Sequence, residues 1–183
     1  MRASRFATRA EPRFPARAEG PARAAIREAV LRLRGGGDEP TVGIAGGASG
    51  GDLLFHEVCA ELGVPTRLRL ALPADQFVQQ SVAPAGKDWV LRFEKLLEQL
   101  GPARVRVMAE ADGMLDGATE NIWQRANLWM IEEALRLAPQ RVLLALWDGR
   151  GGDGPGGTEH LLREAARFGV RVAPPIVMQS LYM

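Results

Sequence analysis

The sequence predicts an α/β layer fold with a mainly parallel sheet, and three observations carry the prediction. Short apolar, β-rich runs alternate along the 183-residue chain with stretches of helical period, the order that builds βαβ units and parallel strands. Two glycine-rich turns, Gly46-Gly47-Ala48-Ser49-Gly50-Gly51-Asp52 and Asp148 to Thr158, each join an apolar run to a helical pattern. Glycines also stand where helices would stop, at Gly35-Gly36-Gly37, Gly63, Gly101-Pro102 and Gly169, the positions a C′ residue takes.

Taken in order, residues 1–20 hold Pro12 and Pro15 with little periodicity and read as an N-terminal arm or a degenerate first strand around Ser4 to Thr8. Residues 21–183 read as one domain. Strands are expected near 41–46, 66–72, 104–109, 141–147 and 170–174, and helices near 21–34, 52–62, 87–100, 119–137 and 158–168. Residues 73–86 carry Pro73, Pro84 and Gly86 around Phe77 and Val78, and read as a long connection of the kind that covers a site. The tail from Pro174-Pro175 to Met183 reads as extended. A chain of this length buries roughly 70% of its unfolded surface and needs no metal or disulfide staple.

Charge and cysteine usage narrow the classes. Lys+Arg 23 against Asp+Glu 22 leaves a net charge of +1, which removes any whole-domain electrostatic case for nucleic acid or an anionic membrane. Arg2, Arg5, Arg9, Arg13, Arg17 and Arg23 make the start locally basic, consistent with the general preference of this chain for Arg over Lys. Cys59 stands alone between Val58 and Ala60 in an expected helix and reads as a core residue in a reducing compartment. The start has no apolar signal-peptide region, and no window reaches the about 18 apolar residues of a membrane span, so the expectation is a cytoplasmic protein.

The chemistry concentrates in the two turns. A strand entering consecutive glycines brings its backbone close to a ligand, and the helix beginning near Asp52 offers unpaired N–H groups to negative charge such as phosphate. Asp52 itself either satisfies those groups or hydrogen-bonds a ribose hydroxyl. The run matches neither G-x-G-x-x-G nor the P-loop pattern. In the second turn Thr158 reads as the N-cap with Glu159 just inside, and Asp148 as an acceptor for ligand hydroxyl or amino groups. Gly47-Ala48-Ser49-Gly50-Gly51 also fits the G-x-S-x-G nucleophile elbow, with Asp148 and His160 following in hydrolase order. A histidine on the first turn of a helix fits that mechanism poorly. His56-Glu57 does not complete a zinc motif, because position 60 is Ala60; no cofactor or metal is expected. On the 119–137 helix Asn127 interrupts an apolar face with Trp123, Met130 and Ala134, and either caps a local backbone group or reaches a ligand's base or sugar. Trp89, Phe93, Leu96, Leu97 and Leu100 read as a packing stripe.

Several spaced motifs occur together: Ala45 to Phe55, Leu72-Pro73 with Asp75-Gln76-Phe77-Val78 and Ser81-Val82, Trp89 with Arg92-Phe93-Glu94, Ala126-Asn127, and Leu146-Trp147-Asp148-Gly149 with Gly154-Pro155-Gly156-Gly157-Thr158, preceded by Pro12-Arg13-Phe14-Pro15. In this order the chain resembles the SLOG superfamily, of the type found beside tetratricopeptide-repeat or signalling domains and related to the lonely-guy and DprA/Smf proteins. The resemblance implies a Rossmann-like three-layer sandwich. It also implies a pocket for a nucleotide or nucleotide-derived signal, as in sensor domains of bacterial immunity, with a homo-oligomer or an effector as further partner. The ligand-binding residues it points to are Gly46, Gly47, Ala48, Ser49, Gly50, Gly51, Asp52, Asn127, Asp148, Gly149, Gly156, Gly157, Thr158 and Glu159. Phosphoribohydrolases of the superfamily carry a longer P-G-G-x-G-T motif, here contracted to Pro155-Gly156-Gly157-Thr158-Glu159. Binding is therefore the first expectation, nucleotide N-glycosidase chemistry through Glu159 the second, and a serine hydrolase or a partner-binding domain lesser ones.

Overall fold

A computed structural model describes residues 14–34, 40–108, 121–147 and 156–177. The expected first strand, the stop at 35–37 and Asp148 to Pro155 of the second turn lie outside the described residues. A 3₁₀ turn at Ala16–Ala18 leads into α1 (Glu19–Arg34), followed by β1 (Gly43–Ala45), α2 (Gly51–Glu61) and β2 (Thr66–Leu70). Then come the four-residue α3 (Ala74–Phe77), α4 (Lys87–Leu100), β3 (Val105–Val107) and α5 (Ile122–Leu137). The C-terminal part contains β4 (Val142–Leu143), β5 (Leu146–Trp147), α6 (Thr158–Arg167), β6 (Arg171–Val172) and β7 (Ile176–Val177). The protein is thus mixed α/β with short parallel sheets.

Hydrogen-bonding explains where the helices stop. Val64 N–H reaches Cys59 O at 2.8 Å and Gly63 N–H reaches Ala60 O at 3.2 Å, the pair of bonds that closes a helix through a left-handed C′ residue. Gly63 accordingly has φ +69°. Val170 to Ala165 (2.9 Å) and Gly169 to Ala166 (3.1 Å) repeat the arrangement after α6. At its other end α5 is held by Asn121, whose side chain accepts from Trp123 N–H while Gln124 accepts from Asn121 N–H, a capping box.

The sheet order β1-β2-β3 is parallel throughout, with Gly43 opposite Thr66 and Leu68 opposite Val105. Leu68 and Leu70 of β2 pack with Leu53 of α2, Phe77, and Phe93, Leu96 and Leu100 of α4. Arg67 and Arg69 alternate with them and meet Glu133 of α5. A second apolar cluster joins Ile26 and Val30 of α1 to Leu54, Val58 and Cys59 of α2. Cys59 is fully buried, as expected, and burial pushes its thiol up to about 12.

Four expectations change in detail. The strand foreseen at 141–147 is one parallel pairing broken at 144–145. Ala173 N–H to Leu143 O and Ile176 N–H to Ala145 O, both 2.9 Å, bridge the β4–β6 and β5–β7 ladders. Its partner runs beyond 170–174 to Val177, across Pro174-Pro175, which lack amide donors. Residues 73–86 are not an open connection but a succession of short helical turns, α3, a wide π turn at Val78–Val82 and a 3₁₀ turn at Ala83–Ala85. Phe77 and Val82 are buried there, so packing fixes the segment. Finally, α1 begins at Glu19, within the expected arm, and Ala18 is fully buried. Among the described residues no helix is long and apolar enough to cross a membrane.

Candidate functional site

The first glycine turn leaves the carboxyl end of β1 and opens α2, and each of its residues has an identifiable neighbour. Gly47 lies against the core: a Cβ there would stand 2.7 Å from the Phe93 ring and 3.1 Å from Leu68. Gly50, the N-cap of α2, has φ +94° and ψ −122°, a conformation essentially restricted to glycine. Gly51 abuts Leu146 of β5, with 3.2 Å to a Cβ position. Ser49 is held twice by one carbonyl, its N–H at 3.0 Å and its hydroxyl at 3.2 Å from Ser81 O.

Asp52 does not satisfy the first amides of α2, the first of the two roles foreseen for it; its carboxylate closes instead on the turn ahead of the helix. Its Oδ2 accepts from Ala48 N–H at 3.2 Å and would lie 2.6 Å from a Cβ on Gly46. The residue is only half-buried, but the carboxylate is turned into the turn. Burial pushes its pKa up to about 6, against the weaker opposing effect of the Ala48 hydrogen bond. One helical turn on, the fully buried His56 faces Gly46 O at 3.0 Å through Nε2 and Thr66 Oγ1 at 2.8 Å through Nδ1. A carbonyl only accepts, so Nε2 carries the proton and Nδ1 accepts from the threonine. Burial lowers this imidazole to about 4. Asp52 and His56 thus grip the turn from one face of α2. Among the described residues the amides of Gly50, Gly51 and Asp52 have no backbone or side-chain acceptor, the usual state of a helix's first amides.

The second turn is described from Gly156 onward. Gly156 has φ +97°, and a Cβ there would meet backbone of α5, 2.8 Å from Gln124 N. The N-cap of α6 is Gly157 rather than Thr158, which is the first helical residue and makes no side-chain cap; the glycine's extended backbone serves without a side chain. Glu159 is exposed on that first turn. Asn127 takes the capping role: its Nδ2 donates to Gly156 O at 2.9 Å and lies 3.4 Å from His160 Nδ1. Asp148 and Gly149 lie outside the described residues.

The two turns share surroundings. Gly51 touches Leu146 at the end of the strand that leads into the second turn. Gly156 sits on Trp123, whose ring lies 5.8 Å from Phe77 in the cluster containing Leu53 and Phe93. The nucleophile-elbow expectation fares differently, because the Ser49 hydroxyl is bonded to Ser81 O and the His160 ring is paired with Asn127.

Sequence reasoning missed three features. Ser81 as the tether of Ser49 left no signal, since its carbonyl rather than its side chain is used. His56 had one: it stands four residues after Asp52, on the same helix face. Buried Arg69 forms a two-pronged pair with Glu133, 2.5 Å from Nε to Oε2 and 2.5 Å from Nη2 to Oε1, beneath the Trp129 ring at 5.6 Å. Burial alone would raise the Glu133 carboxyl, but hydrogen bonds from Arg69 and Arg67 hold it below its ordinary value. Arg23, counted with the basic start, pairs with Glu57 and Glu61 of α2.

Among the described residues no group of His, Cys, Asp and Glu is arranged to hold a metal ion. No family model matches the chain, and no curated protein or solved structure matches it.

Proposed function

We propose that this chain is a SLOG-type, Rossmann-like three-layer domain of the cytoplasm that binds a nucleotide or nucleotide-derived signalling ligand between its two glycine-rich turns. The observation that carries the reading is the contact of Gly51 with Leu146. It sets the amide-rich start of α2 beside the strand that feeds the second turn, and in α/β folds ligands occupy the crevice where such carboxyl ends meet. The layered arrangement is supported by β2, whose Leu68 and Leu70 face α2 and α4 while Arg67 and Arg69 face α5. Open amides at Gly50, Gly51 and Asp52 suit an anion, and Asn127 fixes the backbone of the second turn.

The test is a thermal-shift panel of AMP, ADP-ribose and cyclic dinucleotides. A ligand at about 100 times its Kd adds about 2.7 kcal/mol, or roughly 5–10 °C for a domain of this size. No shift with any of them refutes the reading. Exposed Glu159 beside the second turn favours one further reading, cleavage of an N-glycosidic bond. Release of free adenine from AMP, abolished by Glu159→Gln, would support that chemistry, and recovery of intact AMP supports binding alone.

A further inference from the structure

We infer that His160 is a binding residue of the second glycine turn, set by Asn127 to donate through Nε2, and that the two side chains together take a ligand group that both donates and accepts a hydrogen bond. This inference rests on the binding reading above. Asn127 of α5 and His160 of α6 are 8% and 9% exposed, so each is nine-tenths buried. Gly156 O only accepts, so the Asn127 atom 2.9 Å from it is the amide nitrogen. That nitrogen has a second proton to give and lies 3.4 Å from His160 Nδ1. Nδ1 therefore carries a lone pair, and the ring proton stands on Nε2.

Both side chains are thereby only half used. Among the described residues neither Asn127 Oδ1 nor His160 Nε2 has a hydrogen-bond partner. Of the fully enclosed side-chain nitrogen and oxygen atoms only Arg141 Nε lacks a partner among the described residues, so these two atoms meet solvent. Buried polar side chains are almost always paired, and leaving one short costs about 1–3 kcal/mol. An acceptor and a donor left open on two touching, buried side chains therefore mark a place where a group from outside the fold completes the pairing. The contact of α5 with α6 does not need them, since Ile131, Ala165 and Leu161 already join the two helices through apolar packing. The open atoms also select the ligand chemistry. A phosphate oxygen only accepts and would face the Asn127 oxygen unfavourably, whereas a hydroxyl, or the amide-like edge of a base, supplies one donor and one acceptor. Asn127 and His160 thus belong to the sugar or base of a nucleotide rather than to its phosphate.

The chain has two histidines, so isotope labelling of histidine resolves the His160 ring by magnetic resonance, with His160→Gln giving the assignment. The expected result is a proton on Nε2 in the free protein and a shift of that resonance on titration with AMP, ADP-ribose or a cyclic dinucleotide. Calorimetry then compares AMP binding by wild type, His160→Leu and His160→Gln, with a thermal melt of each. Leucine removes the donor and should weaken binding about tenfold, a change of about 1.4 kcal/mol. Glutamine, whose terminal amide accepts from Asn127 and donates outward, should stay near wild type even where its melting temperature falls. In wild type, weaker binding of 2′-deoxy-AMP identifies a ribose hydroxyl, and weaker binding of inosine monophosphate, which reverses donor and acceptor on the base edge, identifies the base. Either difference should vanish in His160→Leu. Undiminished binding by His160→Leu, a ring proton found on Nδ1, or an Nε2 resonance that a bound probe leaves unmoved overturns the inference and leaves the binding reading standing. Failure of wild type to bind AMP, ADP-ribose and the cyclic dinucleotide alike overturns both.

Discussion

Removing the Glu133 carboxylate should be among the most damaging single changes to the fold. The Arg69 side chain is 3% exposed and places two of its donor groups on Glu133. After Glu133→Ala only Nη1 keeps its partners, Leu68 O at 2.9 Å and Arg104 O at 3.1 Å. The Trp129 face does not replace the lost anion. Breaking a buried pair from one side costs about 3–5 kcal/mol because the other charge remains, and the lost contact to the more exposed Arg67 adds less than about 1 kcal/mol. The expected loss is therefore about 4 kcal/mol, a large part of the roughly 5–15 kcal/mol of a typical domain. In urea, with a slope near 2 kcal/mol/M, the midpoint should fall by about 2 M. The double variant Arg69→Met with Glu133→Leu removes both charges and should recover most of this loss. A single-variant loss below about 1 kcal/mol, or a double variant as damaged as the single, would refute the argument from an orphaned charge.

Two further outcomes concern the first turn. The Asp52 carboxyl, raised by burial from 3.8 to about 6, contributes stability at acid pH that is lost as pH rises through about 6. The His56 imidazole, lowered by burial from 6.5 to about 4, contributes stability above pH 6.5 that is lost as pH falls through about 4; each amounts to about 3 kcal/mol. Their slopes oppose between these limits, so Asp52→Asn should unmask an acid-side fall of about 3 kcal/mol in urea melts, and a variant as flat as wild type would contradict both assignments. Gly47→Ala should cost about 1–3 kcal/mol by overpacking, because Phe93 and Leu68 are both fully buried and must yield; an unchanged melting temperature would show that they yield freely.

The sequence made most helices legible because their ends are signalled chemically. Gly63, Gly101 and Gly169 each follow a helix end, and Phe93, Leu96 and Leu100 keep helical spacing along α4. Residues 73–86 were misread because Pro73 and Pro84 bracket turns too short to display a period, one of them a wide turn that shifts the phase. The broken pairing at 144–145 escaped for a related reason: a buried parallel strand reads as an unbroken apolar run whether or not its ladder is continuous. Arg69 was invisible as a core residue, since its burial depends on Glu133, 64 residues away.

The candidate site raises a subtler difficulty, which the glycines make concrete. Glycine-rich sequence suggested backbone approach to a ligand, yet Gly47, Gly51 and Gly156 are each already required by a protein neighbour: Phe93, Leu146 and Trp123. Close packing and ligand approach select the same residue for the same reason, the missing Cβ, so composition alone does not separate them. Hydrogen bonding shows which amides of the turn are already used. Ala48 N–H is taken by Asp52 and Ser49 N–H by Ser81 O, whereas the next three amides have no acceptor among the described residues. On the proposed binding reading, the amides left for an anion within the seven-residue turn are those of Gly50, Gly51 and Asp52. Replacing Gly50 itself is a poor probe of that reading: at φ +94° any side chain adds strain of about 1–3 kcal/mol, so Gly50→Asp tests folding and binding at once.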